Sequence, residues 1–237
     1  RMLKQGFRKN SIVKISESYF NKINKKQASN YLLDENTKGC YLKEKTILII
    51  TPPVAVLSTY RLLLDSTFFI NFIEDVLITL NELSVGRVIL RPNSSLNKTI
   101  NGASFKLKDF FNQITPKIEK YKFEFILRDS DENITIGEDL NESDFVIGTI
   151  SAVSIDAALA GLDYIAYDNS VTPYPESLNF SIFSKNSPIP KITNKDDLKT
   201  YLKSYTPNKN KNTINFIKPF NQHDNKAFCI DSVKCIE

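Results

Sequence analysis

The stretch Ser143-Asp144-Phe145-Val146-Ile147-Gly148-Thr149-Ile150-Ser151-Ala152-Val153-Ser154-Ile155-Asp156-Ala157-Ala158-Leu159-Ala160-Gly161 changes character part-way along. Its first part is a brief apolar run ending at Gly148, as a strand covered on both faces should be. Hydroxyls follow at Thr149, Ser151 and Ser154, and a short Ala-rich helix over 151–160 begins at once and stops at Gly161, a normal terminator. A strand that runs straight into a helix is the repeating unit of a parallel sheet with crossover helices.

The same alternation extends through the chain from Lys45 onward. Short runs rich in Ile, Val, Phe and Leu predict strands over 46–51, 87–90, 122–127, 144–148, 163–167 and 189–192. Phe68, Phe69, Phe72, Ile73, Val76, Leu77 and Leu80 recur at three- and four-residue spacings, which lays one apolar stripe along a helix over 66–83. A second helix is expected over 105–121, kinked or split at Pro116. Asn194 supplies an N-cap for a third, over 195–205, with Asp196 and Asp197 in its favourable first turn. The expected fold class is α/β, a Rossmann-like parallel sheet with helices on both faces. Residues 206–213 read as a surface linker before a last helical segment over 224–236. The Lys- and Asn-rich stretch 21–36 packs poorly by itself, so residues 1–44 are expected to lean on something else.

Length and composition bound what such a chain can do. With 237 residues it holds one well-packed α/β domain, and 41% hydrophobic with 24% charged residues leaves enough apolar area for a core. The net charge is +4, and the basic residues are scattered lysines rather than a concentrated stripe, which argues against nucleic acid as a partner. Cys40, Cys229 and Cys235 are odd in number, lack a paired spacing and share the chain with a single histidine, His223. Neither a disulfide framework nor a metal site is therefore expected, and a reducing cytoplasm fits best. No run approaches the roughly 18 to 20 apolar residues of a membrane span, and the first residues lack the apolar stretch of a signal peptide. The expectation is a cytoplasmic protein with at most peripheral contact at the inner face of the membrane.

In an open parallel α/β sheet, ligands bind beyond the carboxyl ends of the strands. Three loops there carry unusual residues. In Thr51-Pro52-Pro53-Val54-Ala55-Val56-Leu57-Ser58-Thr59-Tyr60-Arg61, Pro52 and Pro53 rigidify the turn; Ser58, Tyr60 and Arg61 either face a phosphate or sugar or line an ordinary long connection. In Leu90-Arg91-Pro92-Asn93-Ser94-Ser95, Arg91 is placed as a fixed cation, with Asn93 and Ser94 as neutral donors, although the same residues also make a common turn. At the Gly148 turn, Thr149, Ser151 and Ser154 join the free N–H groups of a helix start, which favours an anion; Ser151 also caps that helix, and the two roles are compatible. Beyond the next strand, Asp168 either accepts hydrogen bonds from sugar hydroxyls or is a turn residue. His223, with no nucleophile or acid nearby in sequence, reads as a solvated surface residue.

Taken in this order, the loops resemble the C-terminal, donor-binding domain of GT-B glycosyltransferases. The likeness is to bacterial enzymes that build capsule, lipopolysaccharide or teichoic-acid chains from cytidine-activated donors, namely Kdo- and sialyltransferases and polyol-phosphate polymerases. In that group a segment reads Ser-Asp, three apolar residues, two variable ones and Ser-Ser, then a helix and a Gly-x-x-apolar-apolar-x-Tyr-Asp strand. The stretch 143–168 follows that pattern, with Ser151 and Ser154 as its hydroxyls. A His-Pro loop of the family is matched only by Arg91-Pro92-Asn93; asparagine donates a hydrogen bond but neither carries charge nor shuttles protons.

The resemblance implies a nucleotide-sugar-binding domain over 45–237, with residues 1–44 as an interdomain connection or a remnant of an N-terminal domain. It implies a glycosyltransferase whose donor is CMP-Kdo or a CMP-sialic-acid-like sugar and whose acceptor is a capsule or lipopolysaccharide glycan or glycolipid. Pro53, Ser58, Arg61, Arg91, Asn93, Ser94, Thr149, Ser151, Ser154 and Asp168 are the candidate donor contacts. No metal and no cofactor beyond the nucleotide-sugar substrate is required if these groups hold the phosphate, and the general base is expected from an absent N-terminal partner domain. A CDP-polyol phosphotransferase of teichoic-acid type and a noncatalytic assembly domain are the alternatives.

Overall fold

Each predicted apolar run forms a strand. The computed structural model describes residues 42–52, 55–57, 62–64, 66–92, 107–128, 134–149, 151, 153–169 and 189–205. The strands are β1 (Thr46–Ile50), β2 (Ala55–Leu57), β3 (Leu62–Leu64), β4 (Arg87–Arg91), β5 (Glu124–Leu127), β6 (Phe145–Gly148), β7 (Asp163–Tyr167) and β8 (Lys191–Ile192). Six of them make one sheet in the order β5-β4-β1-β6-β7-β8, and every pairing in it is parallel. The chain thus builds outward from β1 to one edge, returns, and builds outward from β1 to the other. That order is the doubly wound arrangement of dinucleotide-binding folds, and its reversal falls between β1 and β6.

Among the described residues five helices cover the two faces: α1 (Ser66–Glu82), α2 (Leu107–Ile118), α3 (Ile136–Glu142), α4 (Val153–Leu159) and α5 (Lys195–Lys203). Alternation along each strand sorts the apolar side chains between them. Ile47, Ile49, Val88, Leu90, Phe145, Ile147 and Tyr167 pack with the stripe of α1 and with α2 and α5. Leu48, Ile50, Ile89, Val146, Tyr164 and Ala166 pack on the other side with Leu140 of α3 and Ala157 and Ala158 of α4. Phe69, Phe72, Ile73, Val76 and Leu80 are fully buried, so the stripe read from spacing is the core of the first layer. Each such side chain contributes about 1.5–3 kcal/mol relative to exposure.

Three local features depart from the sequence expectations. Pro116 does not split its helix, which runs unbroken from Leu107 to Ile118. The proline sits in the last turn, where it removes one bond; it and Asn112, whose carbonyl is freed, are both exposed to water. The connection after β1 is not a plain loop, because β2 and β3 pair antiparallel within it. Helix α3, absent from the expectations, is held at its start by a capping box: the Thr135 hydroxyl accepts from the Glu138 N–H at 3.3 Å, and the Glu138 carboxylate accepts from the Thr135 N–H at 2.6 Å. Thr135→Ala is expected to lower folding stability by about 1 kcal/mol, read as a fall in the urea midpoint at unchanged slope.

The remaining ends follow the expected signals. Asn194 caps α5, its side chain accepting from the Asp197 N–H at 2.9 Å. Gly161, just past α4, has φ 80°, a conformation that favours glycine. The expected connection over 1–44 falls outside the described residues apart from its last three, of which Leu42 is buried in the first layer and Lys43 bridges to Val85. The expected linker over 206–213 and helix over 224–236 also lie outside them, as do Cys40, Cys229, Cys235 and His223. Among the described residues no helix is long and apolar enough to cross a membrane.

Candidate functional site

The carboxyl ends of β1, β4, β6 and β7 come together along one edge of the sheet. Strand register sets Ile50 of β1 beside both Arg91 of β4 and Gly148 of β6, and Gly148 beside Ala166 of β7. The edge is therefore lined in order by Arg91, Thr51, Thr149 and Asp168. Doubly wound folds bind ligands where the order reverses, a point that falls here between Thr51 and Thr149.

At that point the end of β6 is held from beneath. The Tyr164 hydroxyl, buried beneath it, donates to the Thr149 carbonyl at 2.6 Å. Burial pushes the Tyr164 phenol well above its usual range, so it keeps its proton and remains a donor. A Cβ on Gly148 would run into that hydroxyl and lie 3.0 Å from the ring carbon bearing it, so any larger residue there forces Tyr164 to shift. Thr149 is buried at 5% exposure.

The three candidate hydroxyls differ in what is left to them. Ser151 is half-buried; its Oγ accepts from the Val153 N–H at 3.3 Å, and its own proton has no acceptor among the described residues. Ser154 is fully buried, and its hydroxyl donates to the Ser151 carbonyl at 2.7 Å, while its N–H bonds the same carbonyl. Ser154 thus holds the turn that presents Ser151. The start of α4 offers an anion less than the sequence suggests, because two of its N–H groups are already taken by Ser151 and Asp156 stands in the first turn. The neutral hydroxyl of Ser151, rather than the helix dipole, is the prominent donor.

Arg91 is where the sequence places it, at the end of β4, but it is engaged. One guanidinium nitrogen pairs with Asp139 at 2.5 Å and another donates to the Ile134 carbonyl at 3.1 Å, with 28% of the side chain exposed. Asp139, fully buried on α3, also takes Arg128 Nε at 2.7 Å, and Arg128 reaches Glu142 at 3.0 Å. Arg87 faces Glu142 and Glu124 at 3.5 and 3.7 Å. Three arginines thus meet three carboxylates, and Arg91 is as much an anchor for α3 as a cation at the edge. None of this pairing was legible beforehand; the capping-box spacing Thr135 to Glu138 is the only local signal that α3 exists.

Beyond β7, Asp168 is buried at 8% exposure and its N–H donates to the Ile192 carbonyl at 2.8 Å, which ties the edge to β8. The next residue, Asn169, and Tyr167 both reach across to Asp75 on α1, a residue without any signal in the sequence. Pro53, Ser58, Arg61, Asn93 and Ser94 lie outside the described residues. Among the described residues no group of three or more His, Cys, Asp or Glu is placed to hold a metal ion.

No protein-family model and no curated protein matches the chain. Among solved structures it is similar to TarM, at 13% identity and a TM-score of 0.47 over 82% of this chain and 35% of that one. It is similar to the wall teichoic acid polymerase TagF at 14% identity and a TM-score of 0.43, over 82% of this chain and 43% of that one. It is also similar to HepE of Anabaena, solved in complex with UDP, at 12% identity and a TM-score of 0.37, over 85% of this chain and 48% of that one. The chain spans less than half the length of each.

Proposed function

We propose that this chain is the donor-binding part of a glycosyltransferase of bacterial surface-polysaccharide synthesis, and that it holds a nucleotide-activated sugar across the sheet edge between β1 and β6. The observation that carries this reading is the half-buried Ser151 hydroxyl, whose proton has no acceptor among the described residues, set at the point where the strand order reverses. The same turn carries the sharpest part of the sequence resemblance.

In this reading Ser151 donates to the phosphate of the donor and steadies the charge that grows on it as the sugar departs. Thr149 and Asp168 flank it, Ser154 fixes the turn, and the exposed part of Arg91 adds a guanidinium already held in place by Asp139 and the Ile134 carbonyl. A cytidine-activated donor, CMP-Kdo or a sialic-acid-like sugar, is the first candidate, with a glycan or glycolipid acceptor and the general base supplied by an N-terminal partner domain. One feature favours a second reading, a noncatalytic assembly domain: Asn93 stands where the family carries histidine.

Isothermal calorimetry of the full chain with CMP, CDP and UDP is expected to show at least one nucleotide binding with a Kd of about 1 mM or tighter, near −4 kcal/mol. Ser151→Ala should weaken that binding by about three- to tenfold, one neutral hydrogen bond. Binding of none of the three would remove the donor-site reading and leave the assembly domain.

A further inference from the structure

Arg91 and Arg128 leave neighbouring strands side by side, because Leu90 of β4 pairs in parallel register with Leu127 of β5. Parallel strands lie about 4.8 Å apart, so two guanidinium stems start from adjacent positions on one face of the sheet, and their like charges repel. The group that lets them coexist is Asp139, 48 residues from Arg91 and 11 from Arg128. It is fully buried and gives one oxygen to each: Oδ2 accepts from Arg91 Nη1 at 2.5 Å, and Oδ1 accepts from Arg128 Nε at 2.7 Å. Glu142 takes Nη2 of Arg128 at 3.0 Å.

This sharing leaves Arg91 less committed than an arginine beside a buried carboxylate usually is. A guanidinium and a carboxylate with no competitor close a two-bond fork, each oxygen taking its own N–H. Here the second oxygen is occupied, so Arg91 spends one N–H on Asp139 and one on the Ile134 carbonyl. The rest of its N–H donors have no partner among the described residues, on a side chain that stays partly exposed at the sheet edge. Arg128, by contrast, is more enclosed and is spent on two carboxylates.

We infer that Arg128 is a positioning residue for anion binding at the sheet edge. By holding Asp139 Oδ1 it stops Arg91 from closing a fork on that carboxylate, which leaves the remaining Arg91 N–H groups for the donor's phosphate. This rests on the donor-binding reading above and adds to it a residue that does not touch the nucleotide. Without Arg128, Asp139 is left to Arg91 alone; the pair closes with two bonds, and the guanidinium is drawn toward α3 with fewer donors to offer. Arg128 therefore supplies orientation rather than charge, and experiment separates the two.

The test is NMR titration of the full chain with CMP, CDP and UDP, carried forward with the one that binds tightest, and urea unfolding shows that each variant is folded. Arg91→Gln is expected to weaken that nucleotide by at least about tenfold, the effect of losing a hydrogen bond to a charged group. Arg128→Gln should weaken it by about tenfold as well, and Arg128→Lys, which keeps a cation on Asp139 Oδ1, should restore most of the binding. The variant carrying both Arg91→Gln and Arg128→Gln should bind no more weakly than Arg91→Gln alone, because orientation is worth nothing once the guanidinium is gone. A loss of charge or of local structure would instead add to the Arg91→Gln loss, so additive effects would overturn the inference. In the native chain the Arg91 Nε–H resonance should move as nucleotide is added, a signal that needs no variant, and a resonance that stays in place would overturn it equally. Arg128→Gln binding as tightly as the native chain would overturn the positioning role and leave the donor-binding reading standing. No binding of any of the three by the native chain would overturn that reading, and this inference with it.

Discussion

Asp139→Ala is expected to destabilise the fold by about 3–5 kcal/mol, the range found when one partner of a buried ion pair is removed. The carboxylate is fully buried, and each of its oxygens serves a different arginine, Arg91 at 2.5 Å and Arg128 at 2.7 Å. Arginine does not shed its proton in a protein, so the two guanidiniums, only 28% and 12% exposed, cannot escape by neutralising. Asp139→Asn should do little better, because an amide has one oxygen to offer and turns its NH2 group toward the second arginine. Glu142→Gln supplies the contrast. That carboxylate is 42% exposed, and its loss should cost about 1 kcal/mol or less. Urea unfolding of the three variants measures the difference, and equal losses for Asp139→Ala and Glu142→Gln would show that burial is not what gives Asp139 its weight.

Gly148→Ala is expected to cost about 1–3 kcal/mol, the usual penalty of adding volume to a packed interior. The added methyl group meets the Tyr164 hydroxyl and sits 3.0 Å from its ring carbon and 3.3 Å from Ile50 Cβ. Relief by moving Tyr164 would break its bond to the Thr149 carbonyl and disturb the turn that presents Ser151. Tyr164→Phe alone should cost about 1 kcal/mol through that hydrogen bond. Combining it with Gly148→Ala removes the clashing oxygen, so the double variant should be less destabilised than the sum of the singles by about 1 kcal/mol or more. Strict additivity in urea unfolding would mean that the hydroxyl is not what requires glycine at the end of β6.

What was readable in advance follows from how local each signal is. The six sheet strands are legible because strands buried on both faces must be short, branched and apolar, and 46–50, 87–91 and 145–148 are little else. Helix α1 declares itself through its stripe and α5 through Asn194. Helix α3 does not, since seven residues reading Ile-Gly-Glu-Asp-Leu-Asn-Glu give no apolar period and include a glycine. The strands β2 and β3, three residues each, are too brief to separate from a loop by pattern.

The position of Ser151 at the turn after β6 is legible because a hydroxyl between a strand and a helix has one obvious place to be. The engagement of Arg91 is not, because Asp139 lies 48 residues away, and neither is the pairing of Asn169 with Asp75. Local sequence alone determined the alternation of buried strands and covering helices, since burial on both faces acts residue by residue. Which strands became neighbours, and hence which charges met at the sheet edge, was decided only by the tertiary structure. Those partners are distant along the chain, and only the winding of the sheet brings them within hydrogen-bonding reach.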